Sequence, residues 1–181
     1  MKWMIASDVH GSAKWCRRTL DALEAEGAER LLLLGDLLYH GPRNDLPEEY
    51  APKAVIAMLN AVAPRLLCVR GNCEAEVDQM VLGFPVMADY CALAIDGHVL
   101  YATHGHVYGE DNPPPLTRGD ILLCGHTHVP AYRRHDSFTY VNPGSVALPK
   151  ENSPHGYIVL EDGVMTWKDL EGGTFDRQKI Y

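Results

Sequence analysis

Residues 30–41 read RLLLLGDLLYHG. The four leucines Leu31–Leu34 form a short continuous apolar run, the mark of a strand buried on both faces. It ends at Gly35 and Asp36, and a polar, proline-punctuated loop follows, YHGPRNDLPEEYAP at 39–52. A strand covered on both sides demands a layer above it and a layer below. The flanking sequence supplies them. Upstream, KWMIAS (2–7) reads as a first strand running towards Asp8, and SAKWCRRTLDALEAEGA (12–28) has apolar residues at helical spacing. Downstream, KAVIAMLNAVA (53–63) reads as a second helix stopped by Pro64, and RLLCVRGN (65–72) as a third buried strand. Strand–helix–strand–helix–strand predicts a parallel sheet with right-handed crossovers.

The second half changes character. CALAIDGHVLYATHGH (91–106) reads as a hairpin turning at Asp96-Gly97, and DILLCGHTH (120–128) contains another buried strand. AYRRHDSFTYVNPGS (131–145) and GYIVLEDGVMTWKDL (156–170) read as further hairpins, the latter turning at Asp162-Gly163. The sum is an α/β fold of two packed sheets with helices outside, expected to form one domain over residues 1–181.

The bulk numbers narrow the function. The chain has 181 residues, 46% hydrophobic and 22% charged, the composition of an ordinary globular domain. Its formal net charge of −8 argues against a broad footprint for long nucleic acid or an anionic membrane. The opening MKWMIASDVHG is too polar for a signal peptide, and no run reaches membrane-spanning length. Five scattered cysteines (Cys16, Cys68, Cys73, Cys91, Cys124) show no CxxC spacing, so a disulfide framework is not expected and a cytoplasmic location is favoured.

Polar groups gather just past the predicted strands. They are Asp8 and His10 in DVHG, Asp36 in GDLLYHG, Asn72 with Cys73 and Glu74 in GNCE, His104 and His106 in THGH, and His126 and His128 in GHTH. Ligands of open α/β sheets bind outside the carboxyl ends of the strands, so these clusters are expected to converge. Carboxylate, imidazole and amide oxygen suit divalent first-row metals. Asp8 and His10, two apart on a segment read as extended, are expected to point to one side, as are His126 and His128. Taken singly each motif is commonplace: D-x-H reads equally as a strand-end carboxylate with a surface histidine, and G-N-C-E as a turn. The seven donors Asp8, His10, Asp36, Asn72, His104, His126 and His128 exceed the share one octahedral ion takes from protein. They fit two ions bridged by Asp36.

In this order the motifs D-x-H, G-D, G-N-x-[DE], H and G-H-x-H resemble the signature of calcineurin-like metallophosphoesterases. SDVHGS, GDLLYHGPRN, VRGNCEAEVDQ, THGHVYG, GHTHVP and NPGSVALPK are similar to the small bacterial YfcE-type phosphodiesterases over nearly the whole chain. The resemblance implies a two-sheet, four-layer α/β sandwich flanked by helices. It implies two divalent ions, often manganese, with zinc, iron, nickel or magnesium compatible with the same donors. One ion would take Asp8, His10, Asp36 and His128, the other Asp36, Asn72, His104 and His126. The implied reaction is hydrolysis of small phosphodiesters by a metal-bridging hydroxide.

Many members of that superfamily have histidine where this chain has Cys73, and that histidine assists the leaving group. A thiol is a different acid, so Cys73 favours diesters or activated esters over phosphomonoesters; a passive loop thiol is the alternative. His106 joins Asp36, Asn72 and Cys73 as a catalytic candidate. His40, Arg43 and Asn44 are candidates for binding substrate, with a solvated loop charge as the alternative for Arg43. The VNPGS segment (141–145) reads as a turn beneath the site. His98, His135 and His155 read as surface residues at turns. Competing functions on the same centre are a phosphomonoesterase and a nucleotide phosphodiesterase; a non-enzymatic scaffold like the retromer subunit of this fold is the third. Self-association into a homo-oligomer through the apolar hairpins is also anticipated.

Overall fold

The computed structural model describes residues 1–95 and 97–180. The order begins β1 (Trp3–Ala6), α1 (Ala13–Ala25), β2 (Arg30–Leu33), α2 (Pro52–Ala61), β3 (Leu66–Cys68) and α3 (Glu76–Val81). It continues with β4 (Cys91–Ile95), β5 (His98–Ala102), β6 (Asp120–Leu123), β7 (Pro130–Arg134) and β8 (Phe138–Pro143), then β9 (Gly156–Glu161), β10 (Val164–Asp169) and β11 (Thr174–Lys179). The expected Asp96-Gly97 turn involves Asp96, which lies outside the described residues. No helix among them is long and apolar enough to cross a membrane.

The first sheet runs β11-β10-β9-β1-β2-β3 and the second β4-β5-β6-β8-β7. In the first, β1, β2 and β3 are parallel, as the alternation of strands and helices requires. The antiparallel strands β9 to β11 extend it past β1. In the second, β5, β6 and β8 are parallel to one another and β4 and β7 close the sides antiparallel.

Alternation along β1 and β2 sorts the core into layers. Met4, Ala6, Leu31 and Leu33 face Cys16 and Leu23 of α1 and Val55 and Leu59 of α2. Ile5, Leu32 and Leu34 face the other way, into the seam with Leu100, Ile121, Leu123 and Val141 of the second sheet. The leucine run of β2 therefore serves two cores at once. On the other face of the second sheet, Leu122, Phe138 and Tyr140 pack with Tyr101 and Ala131 of the same sheet and with Leu116 from the loop before β6. Ser12 caps α1 by accepting the Trp15 N–H at 3.2 Å.

Two elements were not anticipated. The helix α3 buries no residue, so it carries no amphipathic signal. The strand β11, TFDRQK, is polar and mostly exposed, held by ladder bonds to β10 and not by apolar alternation.

Candidate metal centre

Asp8 and His10 follow β1, Asp36 follows β2, Asn72 follows β3, His104 follows β5, and His126 and His128 follow β6. All five strands end on the same side, and the connections are stitched to one another. His10 N–H donates to Asp36 O at 2.8 Å and Gly125 N–H to His104 O at 2.9 Å. The two sheets are joined where His126 N–H donates to Asp8 Oδ2 at 3.2 Å. The VNPGS segment does lie beneath: Ser145 Oγ donates to Asp8 O at 2.9 Å.

The expectation that Asp8/His10 and His126/His128 point together because they lie on extended segments is corrected. Asp8, His10, Asp36, His126 and His128 all have positive φ, between 48° and 64°. Each strand stops short and the chain turns through left-handed conformations, which non-glycine residues adopt at a cost of order 1–3 kcal/mol each. These turns, not strand alternation, aim the side chains inward.

Hydrogen bonds fix the imidazoles. Nδ1 of His10 meets Tyr39 O at 2.8 Å, Nδ1 of His104 meets Leu34 O at 2.6 Å, and Nδ1 of His128 meets Leu148 O at 2.6 Å. A carbonyl only accepts, so each Nδ1 carries a proton, and once Nε2 gives up its own proton each ring turns a lone pair towards the site. Yet His10 Nε2 and His128 Nε2 stand 3.3 Å apart, and His104 Nε2 lies 3.1 Å from Asn72 Oδ1. In the metal-free chain protons on His10 and His104 bridge such contacts, as the neighbouring carboxylates favour; with Nε2 deprotonated, acceptor faces acceptor and a cation between them would take the proton's place. The buried Asp8 Oδ1 has no hydrogen-bond partner. His128 Nε2 and His10 Nε2 are 3.3 and 3.5 Å from it. Asp36 Oδ2 lies 3.4 Å from His104 Nε2 and 3.7 Å from His10 Nε2, so one oxygen reaches both groups. His126 Nδ1 lies 3.3 Å from His104 Nε2. Asp8, His10 and His128 have donor atoms close enough to share an ion; so do Asp8, Asp36 and His104, and His10, Asp36 and Cys73. The donor set fits divalent cations.

Electrostatics agree. Burial alone would push the Asp8 and Asp36 carboxyls up, but the neighbouring imidazoles outweigh it and hold both below the usual carboxylate range. Burial disfavours protonation of His104, yet Asp36 and Asp8 raise its pKa to about 9; burial and His104 bring His126 down to about 4. The two carboxylates that raise His104 place negative charge at the centre that a cation would neutralise.

Glu74 is buried and accepts three backbone N–H groups. These are Asp36 at 2.8 Å, Leu37 at 2.7 Å and Gly71 at 2.6 Å. It clamps the turn carrying Asp36 to the turn carrying Asn72.

A cavity of about 440 Å3 opens over the centre, lined by His10, Asp36, Asn72, His126 and His128 and by Arg43, Asn44 and Cys73. Thr127 and Lys150 also line it, and sequence reasoning had not singled them out. Lys150 is tied to the centre, its N–H donating to His128 O at 3.2 Å; its place at the end of NPGSVALPK was the available signal. His40 and His106 do not line this cavity. His40 packs edge-on to Tyr39 and Tyr50, and His106 borders a neighbouring cavity of about 330 Å3 that shares His126 and Thr127. His155, expected at the surface, is stacked on Trp15 at 3.6 Å between ring centroids.

The profile of the calcineurin-like phosphoesterase superfamily domain matches residues 1–162. Escherichia coli phosphodiesterase YfcE is 45% identical over 166 residues, covering 92% of this chain and 90% of its own. The solved structure of YfcE, a phosphoesterase from E. coli, superposes with a TM-score of 0.96 at 42% identity, covering both chains in full. Vacuolar protein sorting 29 from Cryptosporidium parvum shares the fold, with a TM-score of 0.64 at 16% identity over 98% of this chain and 97% of its own.

Proposed function

The chain belongs to the calcineurin-like phosphoesterase superfamily, and from that premise we propose that it is a metal-dependent phosphodiesterase acting on small substrates. The observation that carries the reading is the convergence of two carboxylates, an amide oxygen and four imidazoles at the carboxyl ends of five strands. The likeness to a protein named phosphodiesterase, at 45% identity over 92% of the chain, supports the reaction class.

Asp8, His10, Asp36 and His128 would hold one divalent ion and Asp36, Asn72, His104 and His126 a second. When bound, such ions supply Lewis-acid polarisation of the phosphoryl group and an acidified water. The chain supplies the rest. The Nδ1–carbonyl bonds keep the imidazoles from rotating, and Glu74 keeps Asp36 in register with Asn72. Arg43 and Lys150 line the cavity with no ion-pair partner among the described residues, so they are free to bind phosphate oxygens. No phenylalanine, tyrosine or tryptophan lines this cavity, and its imidazoles belong to the metal-ligand set, so it offers a nucleobase no large stacking platform. Burial and the Asp36 carboxylate push the Cys73 thiol up, keeping its proton in place beside the substrate. A thiol is a weak general acid, which favours diesters with good leaving groups over alkyl monoesters. The five free cysteines suit a reducing, cytoplasmic setting.

The test is to strip the protein of metal, add back manganese, zinc or magnesium, and compare an aryl phosphodiester with its monoester. We expect metal-restored diester cleavage and its loss, by more than about 100-fold, in Asp36→Asn. Cys73→His is expected to raise monoester cleavage relative to diester. If no metal restores cleavage of either ester, the proposal fails.

A further inference from the structure

The side cavity of about 330 Å3 meets the main cavity at His126 and Thr127, and Glu110, Asp111 and Tyr140 line it. Two hollows therefore flank these two residues, and a phosphate held at the centre can send one ester arm into each. A monoester has a single arm and leaves one hollow unfilled. The two sides differ in chemistry. Arg43 and Lys150 line the main cavity, whereas the side cavity carries the carboxylates of Glu110 and Asp111. Glu110 is paired with Arg133 and His135; Asp111 has no ion pair among the described residues.

Asn142, buried on β8, fixes the hydroxyls of this cavity. Its Oδ1 accepts the Gly144 N–H at 2.8 Å, which sets the orientation of the amide. Its Nδ2 then has two hydrogens for three oxygens: Gly125 O at 2.7 Å, Thr127 Oγ1 at 3.1 Å and Tyr140 OH at 3.1 Å. The Thr127 and Tyr140 hydroxyls also bond to each other, which uses one of the pair's own hydrogens. The other has only Val129 O, 3.5 Å from Thr127 Oγ1 and at the outer limit for a hydrogen bond. Both residues line the side cavity, and Tyr140 is only 2% exposed. A buried hydroxyl hydrogen without a good acceptor points to a ligand oxygen in that cavity.

A group that suits this cavity accepts from the hydroxyl pair and donates to the carboxylates. A hydroxyl does both. A carboxylate or phosphate only accepts, and Glu110 and Asp111 repel it; an ammonium only donates; an alkyl chain does neither. We propose that the side cavity binds one alcohol arm of a phosphodiester, and that this arm carries further hydroxyl groups, as a glycerol or a sugar does. The inference rests on the phosphodiesterase reading and adds to it the class of substrate. The Thr127–Tyr140 pair donates to an oxygen of the arm, and Asp111 accepts from one of its hydroxyls. Asn142 is a positioning residue that holds the pair in place.

Three p-nitrophenyl phosphodiesters test it on the metal-loaded protein, their second arms being glyceryl, propyl and choline. We expect kcat/KM for the glyceryl ester to exceed that for the propyl ester about fivefold or more. Tyr140→Phe removes the O–H and keeps the ring; Asp111→Ala removes the exposed carboxylate. Each should bring the glyceryl-to-propyl ratio towards one, whereas a merely structural loss lowers both substrates alike and leaves the ratio in place. If Tyr140→Phe fails to fold, Asp111→Ala decides. A glyceryl ester cleaved no faster than the propyl ester overturns the inference, as does a ratio that neither variant changes. A choline ester cleaved faster than the glyceryl ester overturns it in favour of a cationic arm. In each of these cases the diesters are still cleaved and the phosphodiesterase reading stands. If no metal restores cleavage of any of the three, that reading fails and the subsite falls with it.

Discussion

Glu74 has two oxygens and holds three N–H groups from two different turns. Burial and the nearby Asp36 push its carboxyl up, and the backbone N–H groups pull it back. Glu74→Gln keeps the shape but sets an NH2 group against backbone donors. We expect it to destabilise the metal-free protein by about 1–3 kcal/mol, and to weaken metal binding about 10–100-fold. Denaturant titration and calorimetric metal titration measure the two effects. His155 gives a prediction of different sign. Burial against Trp15 lowers its pKa from 6.5. Above 6.5 both folded and unfolded forms are neutral and stability is complete; as pH falls below that value the unfolded state binds the proton first, and stability is lost. Unfolding free energy measured against pH should fall less steeply below pH 6.5 in His155→Gln than in the wild type. The motif histidines were legible in the sequence because their spacing is local. Stacking of His155 on Trp15 was not, because 140 residues separate the partners.

At the scale of elements, the strand ends approach so closely that only glycine fits between them. A Cβ on Gly71 would overlap the Asp36 carboxylate, and one on Gly125 would overlap Ser7 Oγ and lie 2.9 Å from Asp8 Oδ2. Gly125 belongs to the second sheet and Ser7 and Asp8 to the end of the first, so this contact sets how near the two halves of the centre come. Gly125→Ala should push the β6 turn away from Asp8, weaken metal binding more than about tenfold, and destabilise the fold by about 1–3 kcal/mol. Metal titration against the wild type checks it; unchanged affinity would mean that the sheets yield without moving Asp8.

For the whole molecule, the centre brings together side chains from both sheets that an ion would bind in common. Divalent ions bound there should stabilise the fold as a ligand does. At a metal concentration about 100 times Kd the gain is about 2.7 kcal/mol, or about 5–10 °C in Tm for a chain of this size. Thermal melts with and without chelator measure it, and an unchanged Tm would argue that the cluster binds no ion.

The sequence by itself determined the layers and the inventory. The leucine run of β2 and the helical periodicity around it require a parallel core covered on both faces, and the donors after the strands name metal chemistry. These are local signals, carried by neighbours a few residues apart. The tertiary structure alone decided that Glu74 is a clamp, that Lys150 joins the cavity wall, that His40 and His106 stand outside it, and that β11 exists at all. It also decided how the ligands are aimed, through positive φ at Asp8, His10, Asp36, His126 and His128. No local preference asks a non-glycine residue for that conformation. It persists because strand packing and hydrogen bonds from distant parts of the chain leave those turns no other place to go.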